Sequence, residues 1–211
     1  MIKDGVAATS RHSLIHKAFA LEWFTVGWMT VEAAVALYSG LRAHSLTLLA
    51  FGVDSGIELV SAFVLIWRLN VELKRGEEFS EDAEERATKI GGVLLFALAL
   101  YVIVAAGWSL WHRQGEEFSL LGFILALVAI PTMYLLSKRK IAVADELGSS
   151  ALRADAMESL TCGYLSFVVV IGLVAQALLH VWWVDGVTSL GIVYFLLKEG
   201  REAWEGGCCS D

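Results

Sequence analysis

The chain has 211 residues, of which 57% are hydrophobic and one is proline, and its mean hydropathy is +0.63. A water-soluble domain of this size does not carry that composition, so the chain reads as an integral membrane protein. The net charge of -7 reflects acids gathered in one hydrophilic stretch, "VELKRGEEFSEDAEER", and no nucleic-acid partner is implied.

The opening segment "MIKDGVAATSRHSLIHK" lacks the apolar core and cleavage site of a secretory signal. Residues 1–18 are therefore expected to form a cytoplasmic arm, with His12 and His16 solvated or, alternatively, receiving a metal ion. Apolar stretches of about 20 residues, the length that crosses a bilayer, fall near 19–39, 44–67, 90–111, 119–137, 156–179 and 181–197. The expectation is an all-α membrane protein with a six-helix transport domain at 19–199 and a cytoplasmic tail at 200–211.

Each stretch has a distinguishing feature. The first carries Glu22, near its cytoplasmic end and read as reaching water, and Glu32, deeper and able to line a pathway or relay protons. The second carries Asp54 and Glu58 within "GVDSGIELVSA". Before the third, Ser80 followed by acids forms an N-cap, so that helix starts in water. Pro131 is expected to kink the fourth. The fifth carries Asp155, Glu158 and Cys162, and Asp185 opens the sixth as a structural cap. His112 and His180 sit at helix ends. Cys208 and Cys209 read as a frayed tail, with lipidation or metal binding as alternatives; the three cysteines give no disulfide framework.

Fourteen of the 16 Lys and Arg residues fall on one side of this topology. They comprise Lys3, Arg11 and Lys17; Arg68, Lys74, Arg75, Arg86 and Lys89; Lys138, Arg139, Lys140 and Arg153; and Lys198 and Arg201. Only Arg42 and Arg113 lie opposite, which places both termini in the cytoplasm. Trp67, Trp108, Trp111, Trp182 and Trp183 mark the predicted interfaces.

A shift of 104 positions lays "SLTLLAFGVDSGIELVSAF" over "SSALRADAMESLTCGYLSF". It matches Ser45 with Ser149, Leu48 with Leu152, Ala50 with Ala154, Ser55 with Ser159 and Phe63 with Phe167, and sets Asp54 over Glu158 and Glu58 over Cys162. A three-helix unit has an odd number of spans. Its second copy therefore enters the membrane from the other side, giving a 3+3 inverted repeat with a substrate site near the midplane.

An acid at the centre of a spanning helix costs about 2.5 to 3.5 kcal/mol on insertion scales, so Asp54 and Glu58 require compensation. Four residues apart, they share one helical face, which Ser61 extends. Glu158 and Cys162 have the same spacing. Facing each other, the two helices offer Asp54, Glu58, Glu158 and Cys162, the count a tetrahedral divalent ion takes. Carboxylates alone suit Mn, Mg or Ca, whereas a thiolate shifts preference to Zn, Cd or Co, with Zn2+ first. From spacing alone Cys162 is equally a small apolar residue. Metal and protons compete for such donors, so an alternating-access protein carrying them exchanges one for the other.

"SLTLLAFGVDSGIELVSAFVLIWRL" and "SSALRADAMESLTCGYLS" resemble the second- and fifth-helix signatures of the cation diffusion facilitator family of divalent-metal/proton antiporters. The resemblance implies six helices, a homodimer and export of a divalent metal from the cytoplasm. Asp54 and Glu58 fit the acid-x3-acid pattern of the second helix. In the fifth, "RADAMESLTC" keeps the family's Asp155 and puts Glu158 and Cys162 at the ligand positions. Asp155 is then an outer-shell group, a cytoplasmic intake acid or a proton acceptor. The chain resembles the short branch without the usual cytoplasmic domain, so dimer contact falls to the helices, with Gly91 and Gly92 or Gly40 as close-approach points.

No H-E-x-x-H, G-x-S-x-G or P-loop motif is present, so neither an enzyme nor an ATP-driven pump is expected, and no cofactor is implied. The expectation is a multi-pass protein of the cell membrane exporting Zn2+, with Cd2+, Co2+, Mn2+ or Fe2+ as alternatives, in exchange for protons. The rival is a non-transporting membrane protein whose cluster is a fixed structural or sensory metal site, or a buried polar network without metal.

Overall fold

The computed structural model describes the backbone of residues 2–75, 81–112, 117–179, 181 and 183–204, and within these the side chains of all but 2–12, 72–75, 81–88, 90, 91, 150, 151 and 203. Ser80, Arg113, His180, Trp182, Cys208 and Cys209, together with the side chains of His12 and Gly91, lie outside the described residues. Six helices follow in chain order: α1 Ile2–Ala43, α2 Leu46–Arg75, α3 Glu81–His112, α4 Leu120–Leu147, α5 Ser150–Leu179 and α6 Val184–Trp204. No strand occurs among the described residues.

Most helices outrun the apolar stretch that predicted them. An apolar run marks where lipid lies, whereas backbone hydrogen bonds continue a helix into water as long as no residue stops it. The stops are visible where they occur. Ser119 caps α4 by accepting from Gly122 N at 3.1 Å, and Gly148 ends it in the left-handed region at φ 65°, its N–H bonding Ala144 O. The helix runs on through Pro131.

Five helices, α1 to α5, are long and apolar enough to cross a bilayer. The sixth carries Asp185, Lys198, Glu199, Arg201 and Glu202 in 21 residues, yet buries Ile192, Val193 and Leu196 in the same central cluster as Met29, Phe51, Leu98, Met133 and Leu165. The outer face is apolar: Leu178, Val104 and Leu100 are 75%, 64% and 63% exposed. Trp67, Trp108, Trp111 and Trp183 are exposed as well. An apolar surface this extensive marks contact with lipid or with another apolar partner. The molecule is an all-α, multi-pass integral membrane protein of about six spans.

The packing reflects the internal echo in the sequence. The closest helix pairs are α1 with α2, α4 with α5 and α3 with α6, joined by α1 with α4 and α2 with α5. Exchanging α1, α2, α3 for α4, α5, α6 maps this set onto itself. The matched serines have the same local roles. Ser45 Oγ accepts from Leu48 N at 3.2 Å where α2 starts, and Ser149 Oγ accepts from Leu152 N at 3.3 Å where α5 starts. Ser55 bonds back to Phe51 O at 2.9 Å, and Ser159 to Asp155 O at 3.2 Å. The two helix starts lie at opposite ends of the bundle. The start of α2 meets the start of α6, whereas Leu152 at the start of α5 packs with Leu14, Leu65, Leu69 and Leu147 around the far end of α2. The repeat is therefore inverted.

The structure redirects two expectations about contacts. Asp185 is a cap, but of α2 and not of its own helix: its carboxylate accepts from Ser45 Oγ at 2.5 Å, Leu46 N at 2.9 Å and Thr47 N at 3.3 Å. The reason is that α2 and α6 begin side by side, and three donors at the α2 start outcompete the α6 amides. Of the glycines offered for a dimer, Gly40 and Gly92 make close contacts within the chain. A Cβ at Gly40 would lie 2.9 Å from Leu49 N, and one at Gly52 2.9 Å from Leu37 N, so the two glycines let α1 and α2 approach. Gly92 O sits 3.3 Å from where a Cβ on Gly200 would lie, in the α3–α6 contact.

Candidate metal centre

Asp54 and Glu58 project from one face of α2 into the centre of the bundle, where α5 brings Cys162 to meet them. One ligand atom from each of the three lies within 4.8 Å of the others. All three are buried, at 2%, 8% and 0% exposure. Asp54 Oδ2 accepts no hydrogen bond. Among the described residues no cation is ion-paired with Asp54 or Glu58. Two unneutralised acids and a thiol in a lipid-surrounded bundle are costly unless protons or a cation sit among them.

Glu158, the fourth member of the expected set, lies one turn from Cys162 on α5 and is only half-buried. It stands outside the 4.8 Å group.

Glu32 is fully buried and comes from α1 beside this cluster, where it meets Cys162 but, like Glu158, stands outside the 4.8 Å group. Its Oε1 accepts from Cys162 Sγ at 3.2 Å and from Ser55 Oγ at 2.9 Å, and its Oε2 accepts from Trp28 Nε1 at 2.5 Å. One side chain thereby ties α1, α2 and α5 together at the level of the candidate ligands.

Glu22 and Asp155 belong to a second buried cluster. Glu22 was expected to reach water, but it is 0% exposed and lies 3.2 Å from Lys140 Nζ. The reason is that α1 starts at Ile2, which puts Glu22 well inside a continuous helix. Asp155, 6% exposed, is ion-paired and hydrogen-bonded to the same ammonium. Lys140 itself was counted with the water-facing basic segment before the fifth helix; it is instead fully buried, because α4 continues to Leu147.

Two functional candidates escaped sequence reasoning. Lys140 was hidden in the run "KRK", and its signal was the helical continuity of "KRKIAVADEL" up to Gly148. Glu199 lay beyond the predicted end of the sixth helix. On α6 its Oε1 is buried with no hydrogen-bond partner, and its carboxyl is close enough to those of Glu58, Asp54 and Glu158 for their charges to act on it. Of the histidines, His16 is exposed and His112 stacks on Trp108, its Nδ1 3.0 Å from Trp108 O.

A two-by-three helix repeat with a thiol and carboxylates facing one another at its core defines a polytopic membrane protein with a buried acidic centre between its halves. The family model for the cation efflux transmembrane domain matches residues 23–206, and the chain belongs to that family. It is 25% identical over 179 residues to a manganese efflux system protein of Bacillus subtilis, covering 83% of this chain and 60% of the relative. It is 24% identical over 184 residues to a magnetosome protein of Magnetospira sp. (85% and 61%), and 29% identical over 184 residues to an uncharacterized transporter of Synechocystis sp. (82% and 58%). The chain spans about 60% of the length of these relatives.

Proposed function

We propose that this chain carries a divalent metal ion, Zn2+ first, out of the cytoplasm across the cell membrane in exchange for protons, and that it does so as a homodimer. The observation that carries the reading is the convergence of Asp54, Glu58 and Cys162 within 4.8 Å, buried and without a paired cation among the described residues. Family membership supports a metal as cargo. One relative is named for manganese efflux, and three carboxylates would suit that ion. The thiol favours the softer ions, because thiolate binds Zn2+ and Cd2+ better than it binds Mn2+. Glu158 and Glu199 provide acids between the cluster and the basic, cytoplasmic end of the bundle. A cation leaving water there meets negative charge before it reaches the core.

Exchange follows from the chemistry of the donors. The same oxygens and sulfur take either protons or metal, so loading a metal ion expels protons, and acid on the far side expels the metal. The test is zinc flux in proteoliposomes, read with a zinc-sensitive dye under an imposed pH gradient. The expected result is flux that follows the gradient and is lost in Asp54→Ala. Zinc binding with no flux in the parent chain would instead support a fixed structural or sensory site.

A further inference from the structure

We infer that Asp185 is the latch of a gate on the far side of the bundle, opposite the basic end: it holds the start of α6 to the start of α2 and must let go before an ion leaves the acidic centre on that side. The inference rests on the proposed transport reading and adds a gating residue to it.

The helices fall into two bodies. Packing of α1 with α2, α4 with α5, α1 with α4 and α2 with α5 joins four of them, whereas α6 packs most closely on α3. Asp54, Glu58 and Cys162 all belong to the first body. Asp185 belongs to the second and reaches across the seam. Its Oδ1 accepts from Ser45 Oγ at 2.5 Å, its Oδ2 from Leu46 N at 2.9 Å, and its backbone oxygen from Thr47 Oγ1 at 3.2 Å. Asp185, Ser45 and Thr47 are all buried.

The same turn of α6 touches two more helices. Thr188 Cγ2 fills the space that a Cβ on Gly172 of α5 would take, and a Cβ on Gly186 would lie 2.8 Å from Leu110 Cδ2 of α3. Asp54 comes eight residues after Leu46, about 12 Å along α2, and Cys162 ten residues before Gly172, about 15 Å along α5. The first turn of α6 therefore closes over α2 and α5 beyond the ligands that both carry.

This joint can part without unwinding a helix, because α2 has a cap of its own. Ser45 Oγ accepts from Leu48 N at 3.2 Å, and Ser45 O accepts from Leu49 N at 3.1 Å. When Asp185 withdraws, α2 stays wound from that turn onward, and the amides of Leu46 and Thr47 pass to water. The joint between α1 and α2 at the same end is of another kind. There a Cβ on Gly40 would lie 2.9 Å from Leu49 N, so side chains and backbone interlock and separation leaves a void. The latch also has two stable conditions. A carboxylate at the positive end of α2 binds firmly while the seam is dry, and water that enters the seam weakens the attraction and favours further opening.

The experiment reads access to Cys162 from each side. A Cys208→Ser/Cys209→Ser chain keeps Cys162 as its one thiol, and a membrane-impermeant thiol reagent is added to the far or the basic side of sealed vesicles of known orientation. Asp185→Ala should raise the far-side labelling rate by about 2- to 30-fold, the gain in open population that loss of a helix cap brings, and should leave the basic-side rate unraised. An unchanged far-side rate overturns the inference. So does a rise from both sides, because a merely loosened bundle admits reagent from either. Ser45→Cys/Asp185→Cys tests the joint by locking it, and decides the matter if Asp185→Ala does not fold. Oxidised to a disulfide, it should stop zinc flux in proteoliposomes while zinc binding persists, and reductant should restore the flux. Flux that continues through the cross-linked chain overturns the latch. A parent chain without zinc flux counts against the transport reading alone, since labelling of Cys162 needs no metal.

Discussion

Lys140→Met is the sharpest test of the packing. The ammonium lies fully buried between Glu22 of α1, 3.2 Å away, and Asp155 of α5. At 3.2 Å and an effective dielectric constant of about 20, one such pair is worth about 5 kcal/mol before desolvation is counted. Removing the cation costs more than the lost attraction, because it leaves two carboxylates facing each other in a dry core. Breaking a buried pair in this way typically costs about 3–5 kcal/mol. At about 2–4 °C per kcal/mol for a chain of this size, the melting temperature should fall by roughly 6–20 °C. The eight tryptophans make intrinsic fluorescence during heating in detergent a direct assay. The triple variant Glu22→Gln/Lys140→Met/Asp155→Asn removes charge of both signs and should regain most of the loss. If Lys140→Met melts within about 2 °C of the parent, the three side chains do not form a buried ion cluster and the described contact of α1, α4 and α5 is wrong.

Two further outcomes follow from the site and its scaffold. Asp185→Ala should cost about 0.5–2 kcal/mol, because Ser45 and the amides of Leu46 and Thr47 lose their acceptor. Hydrogen exchange should then quicken at the first turn of α2, and unchanged exchange there would mean that water replaces the cap freely. Cys162→Ser should weaken Cd2+ binding far more than Mn2+ binding, since only the softer ion gains from sulfur. Equal losses for both ions in a competition titration would remove the thiol from the ligand set.

Much of the centre was readable in advance because burial of charge in lipid is so costly that spacing alone becomes informative. Asp54 and Glu58 four residues apart, and the echo that lays Asp54 and Glu58 over Glu158 and Cys162, led directly to α2 and α5. The ends of helices were not readable in the same way. Hydropathy stops where lipid stops, whereas a helix does not. Glu22 and Lys140 were therefore assigned to water when both lie inside continuous helices, and Glu199 was left beyond α6 altogether. The role of Asp185 was half legible: an acid at a helix start is a cap, but sequence does not say which of two adjacent helix starts it serves. Nor does spacing within one helix say that Glu32 will meet Cys162, 130 positions away.

The backbone repeats and most of the buried charges do not, Asp54 over Glu158 being the exception. Shifting by 104 positions takes Ser45 and Ser55 to Ser149 and Ser159 with the same hydrogen bonds, so the two halves share a scaffold. The same shift takes Glu32 to Leu136 and Ala36 to Lys140. The first helix of one half thus brings an acid to the core, and the first helix of the other brings a base. One buried cluster, Glu22 with Lys140 and Asp155, contains its own cation. The other, Asp54, Glu58 and Glu32 around Cys162, has no paired cation among the described residues. A self-neutralised cluster gains nothing from an ion in solution and serves to hold α1, α4 and α5 in register. The uncompensated one gains most from a mobile positive charge. Because α1 and α5 each contribute to both clusters, a shift between α1 and α5 that alters the second must also strain the ion pairs of the first. On the proposed transport reading, the fixed cation would limit how far the halves rock around the transported one.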